Sequence, residues 1–438
     1  MRYLLNILYL LLLLVAFPRL LYSAIRHGKY REGWGAKLLG RVPLRSGTRR
    51  CIWLHAVSVG EVNLLRPLLT AIEAAYPDWD CVITTTTRPA YELARTKYAP
   101  RIVAYCPLDF SWAVSTAIRR LRPDVLILTE LELWPNLIMT ARRRGVRLAV
   151  VNGRMSDRSW KRYARIRTMM GQIFQQIDLL AVQNEEYAQR FRDLGAPADR
   201  VQITGSIKFD GAQTDRDNPL TKRLVSLAGI MPTDIVFLAG STQHPEEKYA
   251  LETYRRLVTK FPQLRLILVP RQPKHFDEVA ELLQKSGLPW TRRSELEQTS
   301  SEAARRILLV DTIGELGGWW GAAQIAYVGG SMGNRGGQNM IEPAAYGAAV
   351  AFGPNTQNFR DVVALIRNHD AGVVVQGSKE LTAWVERCLT DPDYAIQLGT
   401  RAQSLVASQV GATQRTLELL RALLEPIVDT PSGESLAA

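Results

Sequence analysis

Hydrophobic positions fall into three patterns along this chain. The first is one block at the N-terminus. Residues 3–17 read YLLNILYLLLLLVAF, with Asn6 the only polar break. Continued to Ile25, the block includes Pro18 and Arg19. A run of that length predicts a helix able to span the roughly 30 Å of a bilayer core, with Arg19 snorkelling to the surface. A cleaved signal peptide is the alternative. In the second pattern, short β-branched runs at 51–56, 81–85, 101–105, 124–129, 147–152, 178–182 and 201–204 alternate with amphipathic stretches of helical period. The third repeats this at 235–239, 264–269, 307–310, 325–328, 349–352 and 372–375. Strand, helix, strand repetition predicts a parallel sheet covered on both faces.

Between the two sets the periodicity breaks at DGAQTDRDNP and again at MPTD. Turn formers of this kind predict a linker. The organisation expected is a membrane anchor at 1–25, a basic juxtamembrane segment at 26–50, a Rossmann-like domain at 51–210, a linker at 211–232, a second Rossmann-like domain at 233–425 and a tail at 426–438. The fold class is α/β: two Rossmann-like domains facing a cleft, behind an N-terminal transmembrane helix. Ligands of such sheets bind beyond the C-terminal ends of the strands. The loops directly after each strand therefore carry the candidate chemistry.

A length of 438 residues suits two such domains. The formal net charge of +13 calls for an anionic partner. Basic stretches interleaved with nucleic-acid-binding aromatic signatures are absent, which leaves a phosphorylated substrate or an anionic membrane and no nucleic acid. After the apolar run come Arg26, Lys29, Arg31, Lys37, Arg41, Arg45, Arg49 and Arg50, against Glu32 alone. Positive charge on that side places the body in the cytoplasm, behind a single-pass inner-membrane anchor. Cys51, Cys81, Cys106 and Cys388 form no CxxC pair, and the five histidines are scattered, so no metal site and no cofactor is expected. Free thiols fit a reducing compartment.

In the first domain, one strand runs into HAVSVGEV, which puts Glu61 in the first turn of a helix. The helix dipole there favours the carboxylate form that a general base needs, while Ser58-x-x-Glu61 equally spells a capping box. Glu130 and Glu132 follow the VLIL run in TELELWPNL, where they can position a sugar hydroxyl or pair with nearby arginines. The stretch GRMSDRSWKRYARIR sets Arg154, Arg158, Lys161 and Arg162 among apolar residues, a face for an anionic surface or for solvent. Lys208 follows the last strand of this half in TGSIKFD, close enough to the strand end to neutralise a leaving phosphate.

In the second domain, Gly240, Ser241 and Thr242 join a strand to a helix and offer amide N–H groups to an anion. Arg271 follows the LILV strand, and Asp311, Thr312, Ile313, Gly314 and Glu315 follow ILLV with capping-box spacing. The segment YVGGSMGNRGGQNMIEPA packs five glycines between Gly329 and Gly337, where backbone could approach a ligand closely. A helix is expected from about Asn339, with Glu342 in its first turn placed to accept from ribose hydroxyls. The spacing is neither GxGxxG nor a Walker A motif. Two DxD strings, Asp215-Arg-Asp217 and Asp391-Pro-Asp393, fall in linker or loop and are taken as structural.

Taken together, HAVSVGEV, ELELWPN, VNGRMSDRS, TGSIKFD, AGSTQHPEE, LVPRQPKHF, DTIGEL and GGSMGNRGGQNMIEPA resemble the Kdo (3-deoxy-D-manno-octulosonic acid) transferase family, inverting glycosyltransferases of the GT-B fold. The strings run in order from residue 55 to beyond 350. The resemblance implies transfer of Kdo from CMP-Kdo to an anionic lipid A precursor at the inner membrane. It implies Glu61 as the catalytic base, and Glu132 and Lys208 as residues that stabilise the transition state. Arg271 with Gln272, Thr312 to Gly314, and Asn339, Met340, Ile341 and Glu342 would bind CMP, alongside Ser241 and Thr242. Glu130, Arg154, Arg158, Lys161 and Arg162 would face the acceptor and membrane. Gln243 and Gln338 stand where the family often has His, so neither position can carry an imidazolium here, and His244 is the neighbouring substitute for the first. The rival readings are a GT-B transferase of UDP-sugars, a sugar-nucleotide epimerase of that fold, and an inactive membrane-anchored sugar-nucleotide binding module. The last would be expected to lack Glu61, Lys208 or Glu342, and all three are present.

Overall fold

Strand β1 (Cys51–His55) reads CIWLH and is buried at every position, as a strand covered on both faces must be. In the computed structural model, which describes residues 2–27, 32–298 and 301–425, it pairs in parallel with its neighbours. The sheet adds β2 (Asp80–Thr85), β3 (Val103–Tyr105), β4 (Val125–Thr129), β5 (Arg147–Gly153), β6 (Leu179–Val182) and β7 (Val201–Ile203). Its order is β3-β2-β1-β4-β5-β6-β7, so the direction of winding reverses between β1 and β4. The helices of this unit are α1 (Arg2–His27), α2 (Trp34–Leu39), α3 (Val59–Ala75), α4 (Arg88–Tyr98), α5 (Ser111–Leu121), α6 (Pro135–Arg143), α7 (Asp157–Ala164), α8 (Arg167–Phe174) and α9 (Glu185–Asp193). Helix α3 shows why they form. Ser58 caps it through Glu61 N, and Leu64, Leu65, Leu68, Leu69 and Ile72 recur at helical spacing on one buried face.

The second unit repeats the plan. It holds β8 (Ile235–Thr242), β9 (Leu264–Pro270), β10 (Thr291–Arg292), β11 (Ile307–Leu309), β12 (Ile325–Val328), β13 (Ala349–Phe352) and β14 (Val373–Val374). All pair in parallel, in the order β10-β11-β9-β8-β12-β13-β14, with the reversal between β8 and β12. Its helices are α10 (Pro219–Ala228), α11 (Glu246–Leu257), α12 (Phe276–Lys285), α13 (Leu316–Ala322), α14 (Ile341–Ala345), α15 (Arg360–Asn368), α16 (Ser378–Thr390) and α17 (Pro392–Gln409).

Four expectations differ from the structure. Residues 211–232 are not a bare linker: α10 lies within them and packs on α13 of the second unit. The units divide at Gly211 and Ala212. The second domain also ends before residue 425. The last helix, Ala412–Leu424, returns to the first unit, where Leu417, Leu420 and Leu424 join the core beneath β1 and α3. Asp210 accepts from Gly411 N at 2.7 Å and from Thr413 N, and so caps that helix. The segment 26–50 is more than a juxtamembrane arm, since α2 packs on α5 and Val42 is fully buried. Arg45 is only 5% exposed; it pairs with Asp80 at 2.8 Å and donates to Leu121 O at 2.7 Å. Its charge serves the fold rather than a lipid surface.

Lastly, among the described residues no helix is long and apolar enough to cross a membrane. The N-terminal run does form a helix, α1, and one side of it is tied to the first unit. Asn6 Nδ2 donates to Ser111 Oγ at 2.7 Å, and Tyr9 OH donates to Asp109 Oδ2 at 3.0 Å. Lys29 and Arg31 of the basic run, and the expected tail 426–438, lie outside the described residues.

Candidate active site

The reversal between β1 and β4 opens a crevice at their C-terminal ends, where ligands of such sheets bind. The loop after β1 places Glu61 there, 9% exposed. Its Oε1 accepts from Ser58 Oγ at 2.8 Å, and its Oε2 from Thr129 Oγ1 at 2.7 Å and Val57 N at 3.0 Å. Half of the capping box forms, Ser58 Oγ accepting from Glu61 N at 3.3 Å, while the carboxylate reaches Val57 N and so sits at the strand ends.

The loop after β4 brings Glu130 and Glu132 alongside. Glu130 takes a left-handed backbone, φ 55°, while its N–H still bonds Val151 O at 3.0 Å. That conformation directs the two carboxylates differently. Glu130 lies between Lys208, at 3.4 Å, and Arg154, at 3.5 Å. Glu132 accepts from Trp134 Nε1 at 2.9 Å. Burial, with the Glu61 charge next, pushes Glu132 up to about 7, against the Trp134 hydrogen bond. A carboxyl poised at neutrality between a fixed carboxylate and solvent can act as acid or as anion.

Lys208 is held in a short 3₁₀ turn, Ile207–Phe209, whose first N–H is held by Asn152 Oδ1 at 3.1 Å. Arg158, Lys161 and Arg162 are exposed on α7, which buries no residue. Lys161 pairs there with Asp157 at 2.8 Å.

In the second unit the residues expected at the nucleotide fall on the ends of adjacent strands. Arg271 N donates to Thr242 O at 3.0 Å, which joins the loop after β9 to that after β8. Asn339 Nδ2 donates to Glu342 Oε1 at 3.0 Å, and Asn339 Oδ1 accepts from Ile341 N at 3.1 Å. Burial raises Glu342 above the usual carboxylate range, opposed by hydrogen bonds from Asn339 and Trp320 and by the Arg271 charge. Arg271, Asn339 and Glu342 therefore form one group. The helix carrying Glu342 starts at Ile341, two residues later than expected, and Met340 is fully buried behind it. Thr312 donates to Glu315 Oε2 at 2.7 Å, and Arg293 grips the same carboxylate at 2.8 and 2.9 Å. Ile313 is 81% exposed next to it, an apolar side chain without an internal partner. The DxD strings serve turns: Asp215 Oδ1 accepts from Asp217 N at 2.8 Å, and Asp391 Oδ1 from Tyr394 N at 3.0 Å.

Sequence reasoning missed three residues of these sites. Thr129 ends a strand as its only hydroxyl, a signal available in VLILT. Asn152, fully buried, positions the Lys208 turn across 55 residues, which no local pattern reveals. The third is Glu246, first in α11, whose partners Gly330 N and Ser331 N lie more than 80 residues further along the chain.

The first unit matches the family described as 3-deoxy-D-manno-octulosonic-acid transferase (kdotransferase), over residues 31–211. A 3-deoxy-D-manno-octulosonic acid transferase of Haemophilus influenzae is 33% identical over 383 residues, 85% of this chain and 87% of the relative. One from Chlamydia muridarum is 32% identical over 416 residues, 93% of this chain and 94% of that protein. Among solved structures, a glycosyltransferase from Rickettsia africae superposes with a TM-score of 0.55 at 13% identity, covering 86% of this chain and all of its own, a likeness of fold. The chain thus belongs to the Kdo transferase family: it is a glycosyltransferase, and it transfers Kdo in lipopolysaccharide biosynthesis.

Proposed function

We propose that the donor is CMP-Kdo, that the acceptor is a hydroxyl of a lipid A precursor, and that transfer proceeds with inversion. Glu61 takes the acceptor hydroxyl proton as its oxygen bonds to the anomeric carbon. The bond from that carbon to the phosphate oxygen breaks on the opposite face, and CMP departs with the electron pair. Lys208 offsets negative charge in the transition state, and Glu132, half-protonated near neutrality, can donate to the donor's own carboxylate. In the second unit, Arg271 meets the single phosphate, and Asn339 with Glu342 holds the nucleoside. One lysine and one arginine suit a leaving group with one phosphate. The observation that carries this reading is Glu61, whose carboxylate stands at the β1–β4 reversal with Glu132 electrostatically coupled to it.

The test is incubation of the purified protein with CMP-Kdo and tetraacylated lipid A precursor, with the product weighed by mass spectrometry. Glu61→Gln keeps the side-chain length but supplies no base. It should abolish the mass increment while CMP still binds, and turnover at the wild-type rate would refute the base assignment.

The protein is further proposed to work on the cytoplasmic face of the inner membrane, attached by α1. Leu4, Leu8, Leu11 and Val15, at helical spacing, are 72%, 48%, 56% and 81% exposed on the side away from Asn6. An apolar stripe of that extent on a surface helix needs a cover, and lipid fits it. Four buried free thiols accord with a reducing compartment.

A further inference from the structure

In the second unit the strand order reverses between β8 and β12. A phosphate bound beyond these strand ends would ordinarily use the backbone N–H groups of the loops that leave them. Here several of those groups are already taken. Glu246, first in α11 and 1% exposed, turns its carboxylate back into the reversal point. Its Oε2 accepts from Gly330 N at 2.7 Å and Gln243 N at 2.9 Å. Its Oε1 accepts from Ser331 N and Met332 N, both at 2.9 Å, and from Tyr327 OH at 3.0 Å. Gly330 is left-handed, φ 67°, and curls the successive amides into a concave nest. A Cβ on Gly329 would lie 2.5 Å from Thr242 Cα and 2.7 Å from Glu246 Oε2, so only glycine lets the two loops close around the carboxylate.

The glycine-rich segment therefore approaches an anion closely, but that anion is the protein's own. Its five partners are four amides and a phenol, none of them a cation, so the carboxylate is held without a neutralising charge. A phosphate beside Arg271 is compatible with this arrangement. A second phosphate extending toward the nest would find its donors filled and a fixed like charge behind them. We propose that Glu246 is a specificity-determining residue, an internal anion that fills the amide nest at the β8–β12 reversal and so restricts the donor to a nucleoside monophosphate sugar. This rests on the reading that the second unit holds the nucleotide.

The experiment is calorimetric titration of the full chain with CMP, with CDP, and with a cytidylate whose phosphate carries a small uncharged ester. Wild type should bind CMP at least about ten-fold tighter than CDP, and the ester about as well as CMP, a difference of one order in Kd. The ester arm separates charge from bulk without any substitution. Glu246→Gln should then narrow the CDP-to-CMP ratio by about ten-fold, chiefly by gain in CDP affinity. A nest that was merely loosened would weaken both ligands together and leave the ratio where it was. Tyr327→Phe removes one donor, keeps the charge, and should keep the preference. Equal binding of CMP and CDP by wild type, rejection of the ester along with CDP, or an unchanged ratio in a folded Glu246→Gln protein would overturn the proposal. Wild type that bound no cytidine nucleotide would overturn the donor assignment itself.

Discussion

The Glu61 charge bears on the titration of Glu132. Burial comes first among the causes that push Glu132 up to about 7, and the Glu61 charge comes second. Removing that charge with Glu61→Gln should therefore lower the Glu132 value, as read from its side-chain carboxyl carbon in an NMR titration. A Glu132 that titrates unchanged in the variant would mean the two do not interact. The sign for stability follows from the same shift. A carboxyl whose folded value lies above its ordinary 4.5 favours the folded state below that pH and loses this contribution as pH rises through about 7. Glu132→Gln should thus flatten the fall in melting temperature between those limits. Glu61 shows what spacing alone leaves open. Ser58-x-x-Glu61 is compatible with a capping box and with a base, and the structure lets one residue be a cap partner while its carboxylate stands at the strand ends, because the helix N-terminus begins where the strand ends. Two tests separate the roles. Glu61→Ala frees Ser58 Oγ and Val57 N of their acceptor, leaves Thr129 Oγ1 to donate to His55 O alone, and should cost roughly 1–2 kcal/mol in a thermal melt. Glu61→Gln should cost less stability, because its side-chain oxygen still accepts, and yet lose activity as completely.

Among the elements, nearly all the strands were legible, because parallel strands covered on both faces must be continuous apolar runs. The exception, β10, is two residues at a sheet edge and carries no such pattern. Helix α10 was legible in principle. Asn218 caps it, accepting from Thr221 N at 3.0 Å, Pro219 opens it, and Gly229 closes it in a left-handed turn. The turn formers upstream outweighed these marks. What could not be read locally is how elements are held from a distance. Helix α6 has no cap of its own: the side chain of Trp134, at its N-cap, bonds Glu132 and none of the helix's free amides. Asp109 supplies it instead, accepting from Leu137 N at 2.8 Å and Asn136 N at 2.9 Å while also taking the Tyr9 hydroxyl of α1. One buried carboxylate thus joins the N-terminal helix to the helix that follows the Glu130–Glu132 loop. Asp109→Ala should lower the unfolding free energy by roughly 1–2 kcal/mol, the usual worth of a lost cap, with more if α1 detaches. Urea unfolding measures the first effect, and kcat the second, since the loop that carries Glu132 loses its downstream support. A variant with unchanged stability and kcat would show that the cap is idle.

At the scale of the whole molecule, the doubled sheet was predictable from two sets of alternating runs, but the path of the chain was not. The final helix belongs with the first unit because Asp210 caps it from 201 residues away and Leu417, Leu420 and Leu424 fit beneath β1, which lies further still along the chain. Charge is the other property that no single element explains. With a net +13, an exposed α7 carrying Arg158, Lys161 and Arg162, and the unburied stripe on α1, the proposed attraction to an anionic bilayer would have both an electrostatic and an apolar part. The two parts respond differently to salt, because screening at 0.5 M reaches only a few ångströms and leaves apolar burial intact. Sedimentation with vesicles containing phosphatidylglycerol should therefore weaken several-fold when salt rises from about 0.05 M to about 0.5 M, without vanishing. Replacing Leu4, Leu8, Leu11 and Val15 by Ser keeps Asn6 and Tyr9 in place and should remove the salt-resistant part alone. Replacing Arg158 and Arg162 by Glu should remove much of the salt-sensitive part and leave the remainder. If the serine variant still bound at high salt as wild type does, α1 would not be the attachment, and the basic face of α7 would have to account for it.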